Sequence, residues 1–451
     1  MGAVGINFGS ATSGTGFDVA STVTSILAAQ QAIQAPLQAQ LTALQAQDTV
    51  FTQLGTDLST LTTSVQSLTD ANGPLAEKQG SSSNTNLVAL TSADSTAVAG
   101  SHTIIVTSLA VTASSYSNTI ANASDTLSGS VTINGQQINV VSGTSDTLAT
   151  LATAINNSSA GVTASVISDA NGSRLSLVSD TGGASGTFTV ASALKDGSTA
   201  IGFTQGPAAA NAVLSVDGVS LSSASNTVTG AIPGVTFQLL ASSPGTNVQI
   251  QVTNDNTAIE TAVNSVVTAY NAVINDINGQ EKNNSSGSPE PLFGNTTLSL
   301  IQTQLQSALF GGAASGSISN LAQLGISAND DGTLTLDTSA LDNALNANFS
   351  DITGFLQNSG SFGQNFQTVL NSLGTQAPDG TVYLAQQQNS TQESALSATI
   401  ASDQAALAAE QTTLTTELNT ANQVLQAIPD QLNEINEIYS AVSGFNQNTG
   451  S

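Results

Sequence analysis

The chain has 451 residues, of which 39% are hydrophobic and only 8% are charged. Thirty acidic residues against four Lys and Arg give a formal net charge of −26, and there is no Cys. Because Lys and Arg make the contacts to phosphates, this balance excludes nucleic acid and anionic membrane surfaces as partners. The lack of Cys excludes disulfides, thiolate metal sites and cysteine nucleophiles.

The first segment, residues 1–16, is rich in Gly, Ser and Thr, and we predict that it is disordered. It has neither a basic region nor an unbroken apolar region, so it does not resemble a Sec signal peptide. No stretch of about 18 apolar residues exists, so no transmembrane helix is expected. A flexible start of this kind fits a cytoplasmic protein and also a substrate of a type III export apparatus.

The N-terminal leg is predicted over residues 17–75 as a helix capped by Asp18, with a bend at Pro36. The sequence Asn72-Gly73-Pro74 is expected to end it. Its apolar residues repeat in steps of three, four or seven, which is the a/d pattern of a coiled coil. They are Leu37, Leu41, Leu44, Phe51, Leu54, Leu58, Leu61, Val65 and Leu68.

The C-terminal leg is predicted as one helix over residues 381–445, which Pro429 should interrupt and kink after Ile428. It carries a second seam with the same spacing, so the two termini are expected to return to each other in a stalk. The seam consists of Leu396, Ile400, Leu407, Leu414, Leu418, Leu425, Ile428, Leu432, Ile435, Tyr439 and Val442.

Neither leg contains a Lys or Arg: residues 17–70 hold four acids, and residues 381–442 hold seven. Interhelical salt bridges therefore cannot form between the legs, and pairing must depend on apolar burial and on amide and hydroxyl hydrogen bonds. We predict an interface at which the legs contact each other and further subunits, the alternative being that they contact only each other. Its residues are Leu37, Leu41, Leu44, Leu54, Leu58, Leu61, Leu414, Leu418, Leu425, Leu432 and Ile435.

Between the legs the period changes to two, which predicts a β-rich head over residues 97–255. Hairpins are predicted at Asn134-Gly135, Asn171-Gly172 and Asp217-Gly218. We expect two small domains in this head, the outer one over about 115–208, followed by a helical body with a short β element over 256–380. The fold class is therefore α+β, with long coiled-coil-forming terminal helices and an inserted β-rich head.

No motif in the chain indicates catalysis. His102 is the single His, and no nucleophile motif accompanies it. Residues 169–172 and 330–332 resemble calcium loops faintly, but they lack the ligand spacing of an EF-hand and are predicted to be tight turns. We therefore expect no enzyme activity, no cofactor and no metal.

Several segments, in this order and spacing, resemble the flagellar filament cap protein family, also called flagellar hook-associated protein 2. The opening GTGFDVASTVTSIL (14–27) is similar to the start of that family, and DTLATLATAIN followed by residues 161–179 is similar to its hook-associated repeat motif. Four further segments resemble the C-terminal region of the family: residues 211–240, 262–277, 291–298 and 324–337.

The resemblance implies a secreted ring homo-oligomer, commonly a pentamer, at the tip of the bacterial flagellum, where it retains exported flagellin and promotes its folding and insertion. It implies legs at 37–68 and 396–442, a plate at 97–255, and export through the type III channel. Its implied partners are other copies of the chain, flagellin, hook–filament junction proteins and a cytoplasmic export chaperone.

Two other interpretations stay open from the residues alone. One is another axial protein of the flagellum, either a junction protein or a flagellin, which shares helical termini and β inserts. The other is a surface adhesin whose β-rich head binds glycans or host proteins, a role that could coexist with capping in cell motility and cell adhesion.

Overall fold

The computed structural model describes residues 15–311 and 313–443. The predicted disordered segment 1–16 therefore lies almost wholly outside the described residues, as do the last two residues of the predicted range 381–445. The chain divides into two compact units: a helical unit (1–69 with 263–451) and a β-rich unit (70–262). The α+β class with long terminal helices and an inserted β-rich region is confirmed.

The helices lie mostly at the two ends of the chain. In chain order they are α1 Val19–Thr69, α2 Leu148–Asn156, α3 Asn256–Gln280, α4 Thr296–Phe310, α5 Thr338–Gln357, α6 Phe362–Leu373 and α7 Thr381–Ser443. Two short 3₁₀ helices span Ala184–Gly186 and Leu321–Leu324. The boundary between the two units falls within α3.

The strands lie mostly in the β-rich unit, and β1 and β2 precede the predicted range 97–255. The first ten are β1 Lys78–Ser82, β2 Val88–Ala93, β3 Gly100–Ser108, β4 Ser114–Ser117, β5 Leu127–Ser128, β6 Ser130–Ile133, β7 Gln136–Asn139, β8 Val162–Asp169, β9 Gly172–Ser179 and β10 Val190–Ser192. The others are β11 Lys195–Asp196, β12 Thr199–Ala200, β13 Phe203–Gln205, β14 Ala212–Val216, β15 Val219–Ser223, β16 Thr227–Ile232, β17 Val235–Leu239, β18 Val248–Asn254, β19 Ile326–Ala328 and β20 Leu334–Leu336.

The β-rich unit has two separate hydrophobic cores. The first is built by the sheets β1-β18-β3-β14-β15 and β16-β17-β2, around Ile104, Phe237 and Ile250. The second is built by α2 and the sheet β13-β4-β9-β8, around Leu151 and Leu177, together with short strands of residues 127–201. Every paired strand in the described part of the chain runs antiparallel to its neighbour, so short local turns connect many of them.

The three predicted hairpins form, as β6–β7, β8–β9 and β14–β15. The turn of β8–β9 is Ala170-Asn171, one residue before the predicted Asn171-Gly172, because Gly172 already pairs with Asp169. Asn134 and Asp217 each adopt a φ of 51° at their turns, and both are followed by glycine. Asn and Asp tolerate this left-handed region better than other side chains, and the resulting turn has the twist of the strands that it joins.

The terminal helices are continuous. The Asp18 carboxylate accepts the Ser21 backbone N–H at 3.1 Å, which confirms the predicted N-cap of α1. Helix α1 continues through Pro36, and α7 continues through Pro429. The predicted interruption at Pro429 does not occur, because proline removes a single backbone donor and the hydrogen bonds of the turns on either side keep the helix continuous. The predicted kink after Ile428 stays a prediction.

Candidate functional site, the paired terminal helices

Helices α1 and α7 lie side by side and antiparallel within the helical unit. Residues with higher numbers on α7 contact residues with lower numbers on α1 or just before it, and this order defines the register. Four hydrogen bonds mark this order: Gln386 Nε2 to Thr52 Oγ1 at 3.1 Å, Asn389 Nδ2 to Gln47 Oε1 at 3.5 Å, Gln30 Nε2 to Glu410 Oε1 at 3.0 Å, and Phe17 N to Asn422 Oδ1 at 2.8 Å.

The middle of α1 is the most deeply buried part of the pair. Leu58 and Leu61 have no exposed surface, and Leu54 is 1% exposed. Burial of each such side chain contributes about 1.5–3 kcal/mol, so this part of α1 is anchored firmly in the helical unit. Since α1 contains no Lys or Arg, apolar burial and not ion pairing stabilises its position.

A second apolar cluster joins the start of α1 to the middle of α7. Val19, Val23 and Leu27 are buried there, packed with Leu407, Leu414 and Leu418, which are half-buried. The predicted interface omitted Val19 and Val23, although their steps of four continue the period of α1. A seam extended toward the N-cap would have included them.

The predicted interface residues are buried to different degrees on the two helices. On α1, Leu41, Leu44, Leu54, Leu58 and Leu61 are buried and Leu37 is half-buried. On α7, Leu414, Leu418 and Leu425 are half-buried, whereas Leu432 is 42% exposed and Ile435 is 61% exposed. Contact of these residues with other subunits stays a prediction.

An apolar stripe stands exposed on the last part of α7. It lies beyond the turn of α7 whose Asn422 contacts Phe17, and it consists of Val424, Leu432, Ile435, Ile438 and Val442, each between 42% and 83% exposed. We call these residues the α7 stripe. A run of large apolar side chains on one exposed helix end is typical of an interaction site, because exposure leaves their burial energy unrealised.

The interior of the helix pair also holds polar atoms that lack partners. Gln30 Oε1, Gln34 Nε2, Asp48 Oδ1 and Glu393 Oε1 are buried without a hydrogen bond. The contact between the His102 ring and the Asp217 carboxylate lies in the β-rich unit, away from the helix pair. The legs are thus held by apolar packing, and their polar groups are only partly satisfied.

The residues that the sequence raised as chemical candidates belong to turns. Asp217 accepts hydrogen bonds from the His102 ring and from the Thr103 backbone N–H, both at 2.8 Å, and these bonds lower its pKa. Asp169 accepts from Asn171 N, and Asp331 accepts from Thr333, as tight turns require. Among the described residues, no group of three or more His, Asp or Glu is placed to hold a metal.

Within the same described ranges, no helix is long and apolar enough to cross a membrane. Helices from the two chain ends that pair with each other, with an exposed apolar stripe at one end of α7, are typical of a structural protein of the assembly class.

Three family models match the chain. The model of the flagellar hook-associated protein 2 C-terminus matches residues 209–441, and that of its N-terminus matches residues 15–113. The flagellin hook IN motif matches residues 129–181, where the hook-associated repeat motif was predicted. The chain belongs to the flagellar hook-associated protein 2 family, so the resemblance seen in the sequence is confirmed.

Individual relatives agree with this assignment. The B-type flagellar hook-associated protein 2 of Pseudomonas aeruginosa strain PAO1 is 30% identical over 304 residues, which cover 58% of this chain and 63% of that protein. The chain thus spans less than two thirds of that relative. The crystal structure of the D1-D2-D3 domains of the flagellar cap protein FliD from Escherichia coli matches with a TM-score of 0.55 and 28% identity, covering 76% of this chain and 99% of that one.

Proposed function

We propose that this chain caps the tip of the bacterial flagellar filament as a ring of identical subunits. The α7 stripe is the observation that carries the proposal. Although α7 packs against α1, the stripe stays exposed and is available to neighbouring subunits. A repeated contact between different faces of identical subunits closes into a ring when the rotation permits it. Membership of the hook-associated protein 2 family supports the same role.

In this role the chain retains exported flagellin at the tip and promotes its folding and insertion. The legs, 17–75 and 381–445, extend toward the filament, and the head, 97–255, forms the plate. The protein reaches the outside of the cell through the type III channel, and it has flagellin, junction proteins and an export chaperone as partners. No step makes or breaks a covalent bond, so the chain is not an enzyme.

Leg contacts without ion pairs suit a cap that must move as each flagellin subunit is added. Apolar contacts are non-directional, so they can be broken and remade at a shifted register. The legs contain acids but no Lys or Arg, which excludes salt bridges between legs of neighbouring copies as well.

Deletion of the gene tests the proposal, with flagellin measured both in cell-bound filaments and in the culture medium. We expect monomeric flagellin in the medium and absent or stunted filaments, with rescue by the wild-type gene. Rescue should fail for the double variant Leu432→Asn, Ile435→Asn and succeed for Leu384→Asn, which changes a side chain 50% exposed on the same helix. Normal filaments in the deletion strain would overturn the cap role and favour a junction protein or an adhesin.

A further inference from the structure

Two carboxyl groups meet inside the helical unit without a base to neutralise them. Asp57 on α1 lies within hydrogen-bonding reach of Asp276 on α3, and both residues are half-buried. Asp276 Oδ2 is buried and has no hydrogen-bond donor, whereas Asp57 Oδ2 accepts from Gln53 Nε2 at 3.1 Å. Ionised carboxylates only accept hydrogen bonds, so two of them in contact have no hydrogen between them.

We propose that Asp57 and Asp276 share one proton, and that this carboxylic acid–carboxylate pair fastens α1 to α3 and loosens when the proton is lost. One protonated oxygen would donate to the other carboxylate, which supplies the hydrogen that the buried Asp276 oxygen lacks. A charge-assisted bond of this type is stronger than a bond between neutral groups. The pair would thus act as a pH-sensitive fastening built into the helical unit.

Among the described residues, no charged group other than Asp57 shifts the pKa of Asp276. Lys282 exerts its charge on Asp331, whose backbone oxygen accepts a bond from Asn278 at 2.8 Å, and α6 carries no titratable side chain. The other titratable groups on α1, α3, α5 and α7 and on the residues that flank β20 are Asp48, Glu260, Asp330, Asp337, Asp342, Asp351, Glu393, Asp403, Glu410, Glu417, Asp430, Glu434, Glu437, Tyr270, Tyr383 and Tyr439.

Electrostatics supports the geometry. Burial, the hydrogen bond with Asp57 and the charge of Asp57 together raise the pKa of Asp276 from 3.8 to about 6. Between pH 3.8 and about pH 6, the folded protein therefore holds a proton that the unfolded chain has released. As the pH rises through about 6, the proton leaves and two like charges face each other at a partly buried site.

Thermal unfolding of the full chain, followed by the helical circular dichroism signal between about pH 4 and about pH 8, tests the proposal. The variants are Asp276→Asn, whose amide can donate to Asp57 at any pH, and Asp57→Asn. Glu417→Gln is the matched control, because it removes one exposed carboxylate from α7. We expect the wild type and Glu417→Gln to lose melting temperature as the pH rises to about 7, and both Asn variants to lose clearly less. An unchanged pH slope in Asp276→Asn would overturn the proposal.

Hydrogen exchange of the wild type provides a second readout that needs no variant. After correction for the intrinsic pH dependence of exchange, protection of residues 265–280 should fall at least about threefold between pH 5 and pH 7.5, while α6 stays unchanged. Equal protection of residues 265–280 at both pH values would contradict a fastening that depends on a proton. Neither measurement depends on the capping role.

Discussion

The backbone N–H of Phe17 donates a 2.8 Å hydrogen bond to the side-chain oxygen of Asn422, and these residues are 405 positions apart in the sequence. The bond ties the residue before the α1 N-cap to the last part of α7, next to the cluster of Val19, Val23 and Leu27. It therefore places the residue before the α1 N-cap beside the turn of α7 that precedes Leu432, Ile435, Ile438 and Val442 of the α7 stripe.

Truncation of Leu58 to alanine should destabilise the helical unit by about 2–5 kcal/mol, because the fully buried side chain leaves a cavity. Urea unfolding followed by circular dichroism measures the change in the free energy of unfolding. Ser59→Ala, at an exposed neighbour on the same helix, should change it by less than about 0.5 kcal/mol. Equal effects of the two substitutions would show that the α1 seam does not support the fold.

Added NaCl should raise the melting temperature of the paired legs, because the legs contain eleven acids and no base and therefore repel each other. Raising NaCl from about 0.02 M to about 0.3 M shortens the screening length to below 10 Å and weakens this repulsion. Circular dichroism melting of the helical signal measures the effect. A fall in melting temperature over this range would refute the idea that like-charge repulsion opposes pairing.

The double variant Leu432→Asn, Ile435→Asn should weaken self-association at least about tenfold while the melting temperature of the monomer stays unchanged, because both side chains are exposed in the single chain. Sedimentation equilibrium measures the association constant. Leu384→Asn replaces a leucine of similar exposure far from the stripe and should associate like the wild type. Wild-type association of the double variant would show that the α7 stripe is not the contact between subunits.

Acid should weaken the β14–β15 turn through Asp217. Its hydrogen bonds with His102 and Thr103 lower its pKa below 3.8, so the carboxylate is favoured in the folded state. The contribution to stability is present above pH 3.8 and is lost as the pH falls through the lowered value. Asp217→Asn keeps a side chain that tolerates the φ of 51°, and it should lose less stability than the wild type between about pH 4 and about pH 2. Thermal melting across this range measures the difference, and identical acid profiles would exclude Asp217 as the responsible group.

The sequence by itself determined the features that depend on neighbouring residues. The N-cap at Asp18, the three hairpins and the seams of the legs are properties of short segments, whose period and turn residues can be read directly. The turn of β8–β9 lies one residue before its predicted position. The family could be recognised for the same reason, since its motifs are contiguous pieces of chain. Pro429 shows the limit of such local rules, because the helix continues through it.

Only the tertiary structure decided which seam residues are covered and which are free. Leu425 and Leu432 have the same spacing and chemistry in the sequence, yet Leu425 is half-buried and Leu432 is 42% exposed. The contact of Asp57 with Asp276 likewise has no signal in the sequence. Helical periodicity specifies a face, whereas burial and the pKa of a carboxyl depend on the register in which distant segments meet.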